Sequence, residues 1–320
     1  MNKPIVFMFS GQGSQYYQMG KELYEKNENF HYWMNYCSKI YEPLIHASLV
    51  EIIYMERPDR FEPFDKTIYT HPAIFIFEYS LYQTILSLGI KPGYLLGYSL
   101  GEYVASVVAG VLSLEDAIAL VHKNAELTIN LTPNASMMAI LTNYKFFKQN
   151  TERFSDTTIA GINYDNHFVI TSDHGKLEKI KSFLDEIDIS AQILPVSHGF
   201  HSYRMDPIEN EFKQFLKCLS FLEITIPIIS PLYQRLLKHD DIHVDYYYQI
   251  TRQPINFLAT IESWERNGDF TYIDIGPSGT LANFVKQIIK NESGSKSLTT
   301  IDMFGRDLNN IKRLQSVLNQ

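Results

Sequence analysis

Short apolar runs and longer stretches of helical periodicity alternate along the chain. Residues 4–9 form an apolar run that predicts a strand, and residues 20–50 repeat apolar positions at helical spacing, with Leu23, Phe30, Trp33, Met34 and Cys37 on one face. Residues 56–66, holding Pro58, Pro63 and charges of both signs, read as a surface connection. His71-Pro72-Ala73 predicts a helix start, because proline suits the first turn, and the helix continues to Leu88. An apolar run over 90–96, broken by Lys91-Pro92-Gly93, then predicts a strand that passes through a tight turn into an alanine- and valine-rich helix over 103–109. Ser113, followed by Glu115 and Asp116, signals the N-cap of a further helix to about Asn130, which Thr132-Pro133-Asn134 ends.

Beyond residue 131 the pattern changes. Apolar runs at 137–141, 157–163, 168–172 and 191–196 predict strands, with helical segments at 144–153 and 176–187 between them. Strand-helix-strand twice over predicts a split βαβ insert of ferredoxin-like type. A helix over 206–219, a strand at 227–230, a helix at 256–267, a strand at 271–275 and a last helix at 280–289 then resume the earlier alternation. The expected fold class is α/β. Residues 1–130 and 198–320 should form a large α/β-hydrolase-like domain with a mostly parallel sheet covered on both faces, and residues 131–197 a small ferredoxin-like inserted subdomain.

Composition narrows the function. A chain of 320 residues, 45% hydrophobic, can bury a large core, and its 21 tyrosines and 20 phenylalanines suit both that core and an apolar pocket. No apolar stretch approaches the ~20 residues that cross a bilayer, and the start lacks a signal-peptide core, so a cytoplasmic protein without a membrane partner is expected. The net charge of −8, with no basic run interleaved with aromatics, argues against nucleic acid as a partner. Stretches 145–153 and 286–296 carry lysines but read as solvated faces. Cys37 and Cys218 stand far apart without metal-ligand spacing; both are expected to be buried small hydrophobes, with no metal site.

Candidate chemistry centres on Gly97-Tyr98-Ser99-Leu100-Gly101, which falls on the predicted strand-turn-helix. A serine on such a turn is held in a strained backbone with its hydroxyl exposed, and the N–H groups opening the next helix can stabilise an oxyanion. A plain Gly/Ser turn is the alternative reading. Such a serine needs a base, and His201, one of ten histidines, sits in the loop that returns from the insert. The loop Ser10-Gly11-Gln12-Gly13-Ser14-Gln15 lacks the Lys-Ser/Thr of a phosphate-binding loop and the third glycine of a dinucleotide site.

Four segments taken together carry a resemblance: Ser10 to Gln15, Gly97 to Glu102, Gly199-Phe200-His201-Ser202, and Asp274-Ile275-Gly276-Pro277-Ser278-Gly279. Over nearly its whole length the chain resembles the acyl-carrier-protein S-acyltransferases of fatty-acid and polyketide synthesis, the malonyl transacylase family. The resemblance implies a Ser99–His201 dyad whose imidazole is oriented by a backbone carbonyl near Ile250. It also implies an oxyanion hole from the N–H groups of Leu100 and Gln12, and ping-pong acyl transfer. Three positions bear on the acyl pocket. Asn124 stands where malonyl-carrying members place a carboxylate-binding arginine, and Lys123 beside it points ~100° away. Tyr98 replaces a histidine usual before the serine, while His198 and Phe200 stay close to the malonyl-selective pattern, with Phe200 expected to crowd branched chains.

The resemblance therefore extends to the free-standing acyl hydrolases, or acyltransferase homologues, of trans-acyltransferase polyketide synthases, which edit stalled acyl groups from carrier-protein thioesters. The alternatives are a malonyl or acyl transacylase that loads a synthase, and a non-catalytic carrier-protein-binding homologue. The implied partner is an acyl carrier protein of a polyketide synthase. No cofactor is implied, because the phosphopantetheine arm belongs to the substrate.

Overall fold

The computed structural model describes residues 3–55 and 62–318, so Pro58 and most of the expected 56–66 connection lie outside the described residues. In chain order, β1 (Ile5–Phe9) precedes helices α1 (Lys21–Lys26), α2 (Glu28–Ile45), α3 (Leu49–Tyr54) and α4 (Thr67–Ser87). Then come β2 (Tyr94–Gly97), α5 (Gly101–Val108) and α6 (Leu114–Leu131). The next stretch supplies β3 (Ser136–Ile140), α7 (Lys145–Gln149), β4 (Thr158–Tyr164), β5 (His167–Ser172), α8 (His174–Glu186) and β6 (Ala191–Ile193). The chain returns through α9 (Glu209–Leu216), β7 (Ile228–Ser230), β8 (Arg235–Leu236), α10 (Val244–Arg252), β9 (Ile255–Asn256) and α11 (Phe257–Trp264). It closes with β10 (Thr271–Asp274), α12 (Thr280–Ile288), β11 (Lys296–Thr299) and α13 (Asp307–Leu318).

The first sheet runs β11-β10-β1-β2-β7-β8, parallel except for the edge pair β7–β8. Its centre is β1, apolar on both faces as a strand covered on both sides must be: Val6 and Met8 enter one core, Phe7 and Phe9 the other. The second sheet runs β6-β3-β5-β4-β9. Its first four strands are antiparallel in the order fourth-first-third-second of a ferredoxin-like unit. One element crosses the expected boundary. Strand β9, which belongs to the returning chain, pairs in parallel with β4 and so stitches the second sheet to the segment that leads into α11.

Several elements differ from the sequence pattern. α10, β11 and α13 carry no sequence-based expectation; α10 holds three consecutive tyrosines, Tyr246, Tyr247 and Tyr248, all of them buried. The helix expected over 206–219 splits into a 3-10 turn, Tyr203–Ile208, and α9. Cys37 is buried, but Cys218 is exposed. Pro72 does not open α4, which starts at Thr67 and runs through it. A proline removes the N–H that would bond the carbonyl four residues back, here Ile68. The Tyr41 hydroxyl of α2 donates to that carbonyl at 2.7 Å, so α4 continues and serves as the central helix between α2 and α6.

Y41F should therefore cost about 1 kcal/mol in denaturant unfolding, the worth of a hydrogen bond to a partly buried carbonyl. In a P72A background, where the substituted residue supplies the missing N–H, the same substitution should cost clearly less. Equal costs in the two backgrounds would refute this account of α4.

Candidate active site

The turn between β2 and α5 is fixed by its neighbours. Tyr98 donates its N–H to the Phe9 carbonyl at 2.8 Å, and Glu102 donates to the Ser99 carbonyl at 2.8 Å. Ser99 between them adopts φ +56°, a left-handed conformation that costs a serine about 1–3 kcal/mol and persists only where the surroundings enforce it. Close packing enforces it. A Cβ on Gly101 would lie 2.1 Å from the Phe9 carbonyl oxygen, and one on Gly11 would lie 2.9 Å from the Ser99 Cβ. The 10–15 loop thus rests directly against the serine. Gln12 and Leu100 both border the cleft in front of Ser99.

His201 also has a positive φ, +59°, and is buried. Its Nε2 lies 2.8 Å from Ser99 Oγ. Its Nδ1 lies 2.8 Å from the Gln253 carbonyl, and since a carbonyl only accepts, Nδ1 carries the proton and Nε2 presents its lone pair to the serine. The orienting carbonyl is therefore that of Gln253 and not of Ile250, which instead lines the cleft. The reason is α10. Carbonyls at a helix C-terminus have no partner within the helix, and two from its end turn to His201: Thr251 accepts the His201 N–H at 2.9 Å, and Gln253 accepts the ring. An ion pair of Arg252 with Asp206 further ties the helix end to the turn after His201. Burial pushes the imidazole down to about 4 against the partial support of the Gln253 carbonyl, so it is neutral at neutral pH.

The carboxylates behind the site escaped the sequence reading. Glu102, directly after the serine turn, is buried, and its Oε2 accepts from Ser230 Oγ at 2.6 Å and from the Tyr246 hydroxyl at 2.5 Å. It locks the serine helix to β7 and to α10, the element that orients His201. Its charge within an otherwise apolar helix was the available signal. Burial raises its carboxyl to about 7. Glu78 of α4 takes the backbone N–H of Ser10 at 2.7 Å and its Oγ at 2.5 Å, anchoring the glycine loop. Asp274 caps the α12 end by accepting from Gly276 and Ala282, each at 2.8 Å, and a Cβ on Gly276 would lie 2.6 Å from Ser10 Oγ. The 274–279 segment therefore buttresses the 10–15 loop.

The cleft is narrow and places Tyr98, Asn124 and Phe200 around Ser99 and His201. His198, expected there, stands behind Phe200 with its ring 6.3 Å away and its Nδ1 3.0 Å from Thr132 Oγ1. Tyr98 reaches across to the second sheet, where its hydroxyl donates to Asn163 at 2.8 Å. His71, unforeseen, lines the cleft with its ring 5.2 Å from Phe200, and burial together with nearby His198 keeps it neutral, down to about 3. Lys123 turns outward to pair with Glu126 at 2.7 Å, and among the described residues no lysine or arginine lines the cleft.

A serine on a strand-turn-helix elbow of a parallel sheet, faced by a neutral imidazole, is the arrangement of an enzyme that works through an activated serine nucleophile. Residues 6–320 match the family model described as the acyl transferase domain, and the chain belongs to that family. It is 40% identical over 315 residues to the polyketide biosynthesis acyltransferase homolog PksD of Bacillus subtilis, covering 98% of this chain and 97% of that protein. The homolog BaeD of Bacillus velezensis is 38% identical over 315 residues, with the same coverage. The solved acyltransferase domain from the second module of the salinomycin polyketide synthase matches with a TM-score of 0.85 at 26% identity, over 98% of this chain and 72% of that one.

Two outcomes follow from the titrating groups. If the neutral form of His201 is the active base, kcat/KM for serine acylation should change little between pH 8 and pH 5.5 and fall only toward pH 4. An imidazole at its ordinary value near 6.5 would lose roughly thirtyfold at pH 5. For Glu102 the folded state holds the proton more tightly than the unfolded chain, so its contribution to stability is full below about pH 4.5 and lost as pH rises through about 7. E102Q should remove that slope, about 1.4 kcal/mol per pH unit inside the window, when unfolding is compared with wild type at pH 5 and pH 8.

Proposed function

We propose that this chain is a serine acyl-transfer enzyme of polyketide biosynthesis that removes uncharged acyl groups from acyl-carrier-protein thioesters by hydrolysis. In the first half-reaction Ser99 Oγ attacks the thioester carbonyl while His201 Nε2 takes the hydroxyl proton. The N–H groups of Leu100 and Gln12 hold the oxyanion, each worth about 2.7–4 kcal/mol in such sites. Collapse breaks the C–S bond, the departing sulfur takes the proton from His201, and an ester remains on Ser99. In the second half-reaction Nε2 takes a proton from water as its oxygen attacks the ester. Collapse returns that proton to Ser99 Oγ and frees the acid. The Gln253 carbonyl, accepting from Nδ1, supports the transient imidazolium in both halves. The phosphopantetheine arm arrives with the substrate.

The observation that carries this reading is Asn124. It is fully buried on the cleft wall, and among the described residues no lysine or arginine lines that wall. A malonyl carboxylate there would be buried without a countercharge, whereas an uncharged acyl group is not penalised. Membership of the acyl transferase family and likeness to the two Bacillus polyketide homologs support the pathway and the carrier-protein partner.

Intact-protein mass spectrometry tests it, after separate incubation with malonyl-CoA and with butyryl-loaded carrier protein, following the mass of Ser99 and free acid. Butyryl should load and be released as butyrate, malonyl should not accumulate, and S99A should remove both signals. H201A should slow loading by about 10²–10⁴-fold. Malonyl that accumulates on Ser99 and moves to carrier protein would make the chain a loading transferase. N124R should raise malonyl loading, and no gain would mean that the wall differs from a malonyl site by more than one charge.

A further inference from the structure

The cleft wall holds more polar atoms than acyl transfer uses. Asn124 is 0% exposed, and neither its Oδ1 nor its Nδ2 has a hydrogen-bond partner within the described residues. Two other cleft residues share this state: His71 at Nδ1 and Gln12 at Oε1. Orphaned buried atoms also occur elsewhere among the described residues, at Thr128 Oγ1 and Trp264 Nε1 for example; what sets these apart is that they line one cleft, where a ligand can supply the partner.

The chemistry of the orphans selects that ligand. Asn124 offers one acceptor and one donor group, and Gln12 offers the acceptor Oε1 beside an Nε2 that spends one of its two N–H groups on Thr70 Oγ1 at 2.7 Å. The neutral ring of His71 presents at Nδ1 either a donor or an acceptor. A plain alkyl chain satisfies none of these. A carboxylate accepts only, so it would leave the oxygens of Asn124 and Gln12 facing an anion. A hydroxyl donates once, to the oxygen of Gln12 or of Asn124, and accepts from Asn124 Nδ2 and from His71, so it pairs most of the set without adding charge. We infer that the cleft recognises acyl thioesters whose chain carries an uncharged hydroxyl, held by Asn124, Gln12 and His71, with the carbon chain against Met137, Val169 and Phe200. Resting on the acyl-enzyme chemistry proposed above, this recognition adds the class of acyl group.

The test compares 3-hydroxybutyryl and butyryl thioesters of the same carrier protein on the full chain, measuring kcat/KM for Ser99 acylation by mass. Wild type should favour the hydroxylated chain by about tenfold, the worth of one good neutral hydrogen bond. N124L, similar in size and unable to bond, should bring the ratio to near one or invert it, and it should unfold no more readily than wild type because it removes two orphaned atoms. Equal rates, or a preference for butyryl, in wild type overturn this recognition while leaving the acyl-enzyme chemistry standing. Should N124L not fold, the wild-type ratio decides alone. If neither chain acylates Ser99, the chemistry itself fails.

Discussion

The hydrogen bond from His201 Nδ1 to the Gln253 carbonyl is the contact on which the site turns, because it sets which nitrogen faces the serine. Without it the imidazole could present an N–H to Ser99 and have nothing to accept a proton with. The bond joins three parts of the chain: the loop returning from the second sheet, the end of α10, and the short link into β9. Since β9 pairs with β4, the orienting carbonyl sits at the seam between the two sheets. A shift between the sheets would therefore act first on the tautomer and direction of His201.

The surrounding polar groups read as supports for that geometry. Glu102 binds Ser230 and Tyr246 and so fixes the serine helix against α10. Glu78 and Asp274 hold the glycine loop and its buttress against the serine turn. Each of these carboxylates is buried and accepts two hydrogen bonds or more, which offsets part of the cost of burial, although both bonds to Glu78 fall on Oε1 and its Oε2 is without a partner among the described residues. Ser99 and His201 both sit at positive φ, and this packing is what keeps two strained residues in register.

Charge distribution decides what the cleft can hold. Histidines near the cleft are neutral through burial, the adjacent lysine is paired with Glu126, and Asn124 on the cleft wall is an amide. A low-dielectric wall without a countercharge penalises a buried anion by more than any one neutral contact gains, and this is the physical basis of the proposed preference for uncharged acyl groups. Selectivity of this kind arises from rejection as much as from fit.

The sequence by itself determined the α/β class, the inserted four-stranded unit, the serine turn and the histidine that meets it. These are legible because they depend on local rules: apolar runs between turn residues, glycines flanking a serine, and a family pattern of residues. Asn124 in place of a cation was legible too, as was the turn of Lys123 about 100° away from it, which follows from helix pitch. Only the tertiary structure decided that Gln253 and not Ile250 orients the imidazole, that His198 stands behind Phe200, and that His71 joins the cleft. The first of these hangs on α10, whose run of three tyrosines has the composition of a strand and is helical with all three buried by distant neighbours. The last hangs on Pro72, helical because Tyr41 from another helix supplies the missing donor. Contacts between residues far apart in the chain leave no periodic trace in it, and the packing that creates them also fixes the direction in which each side chain points.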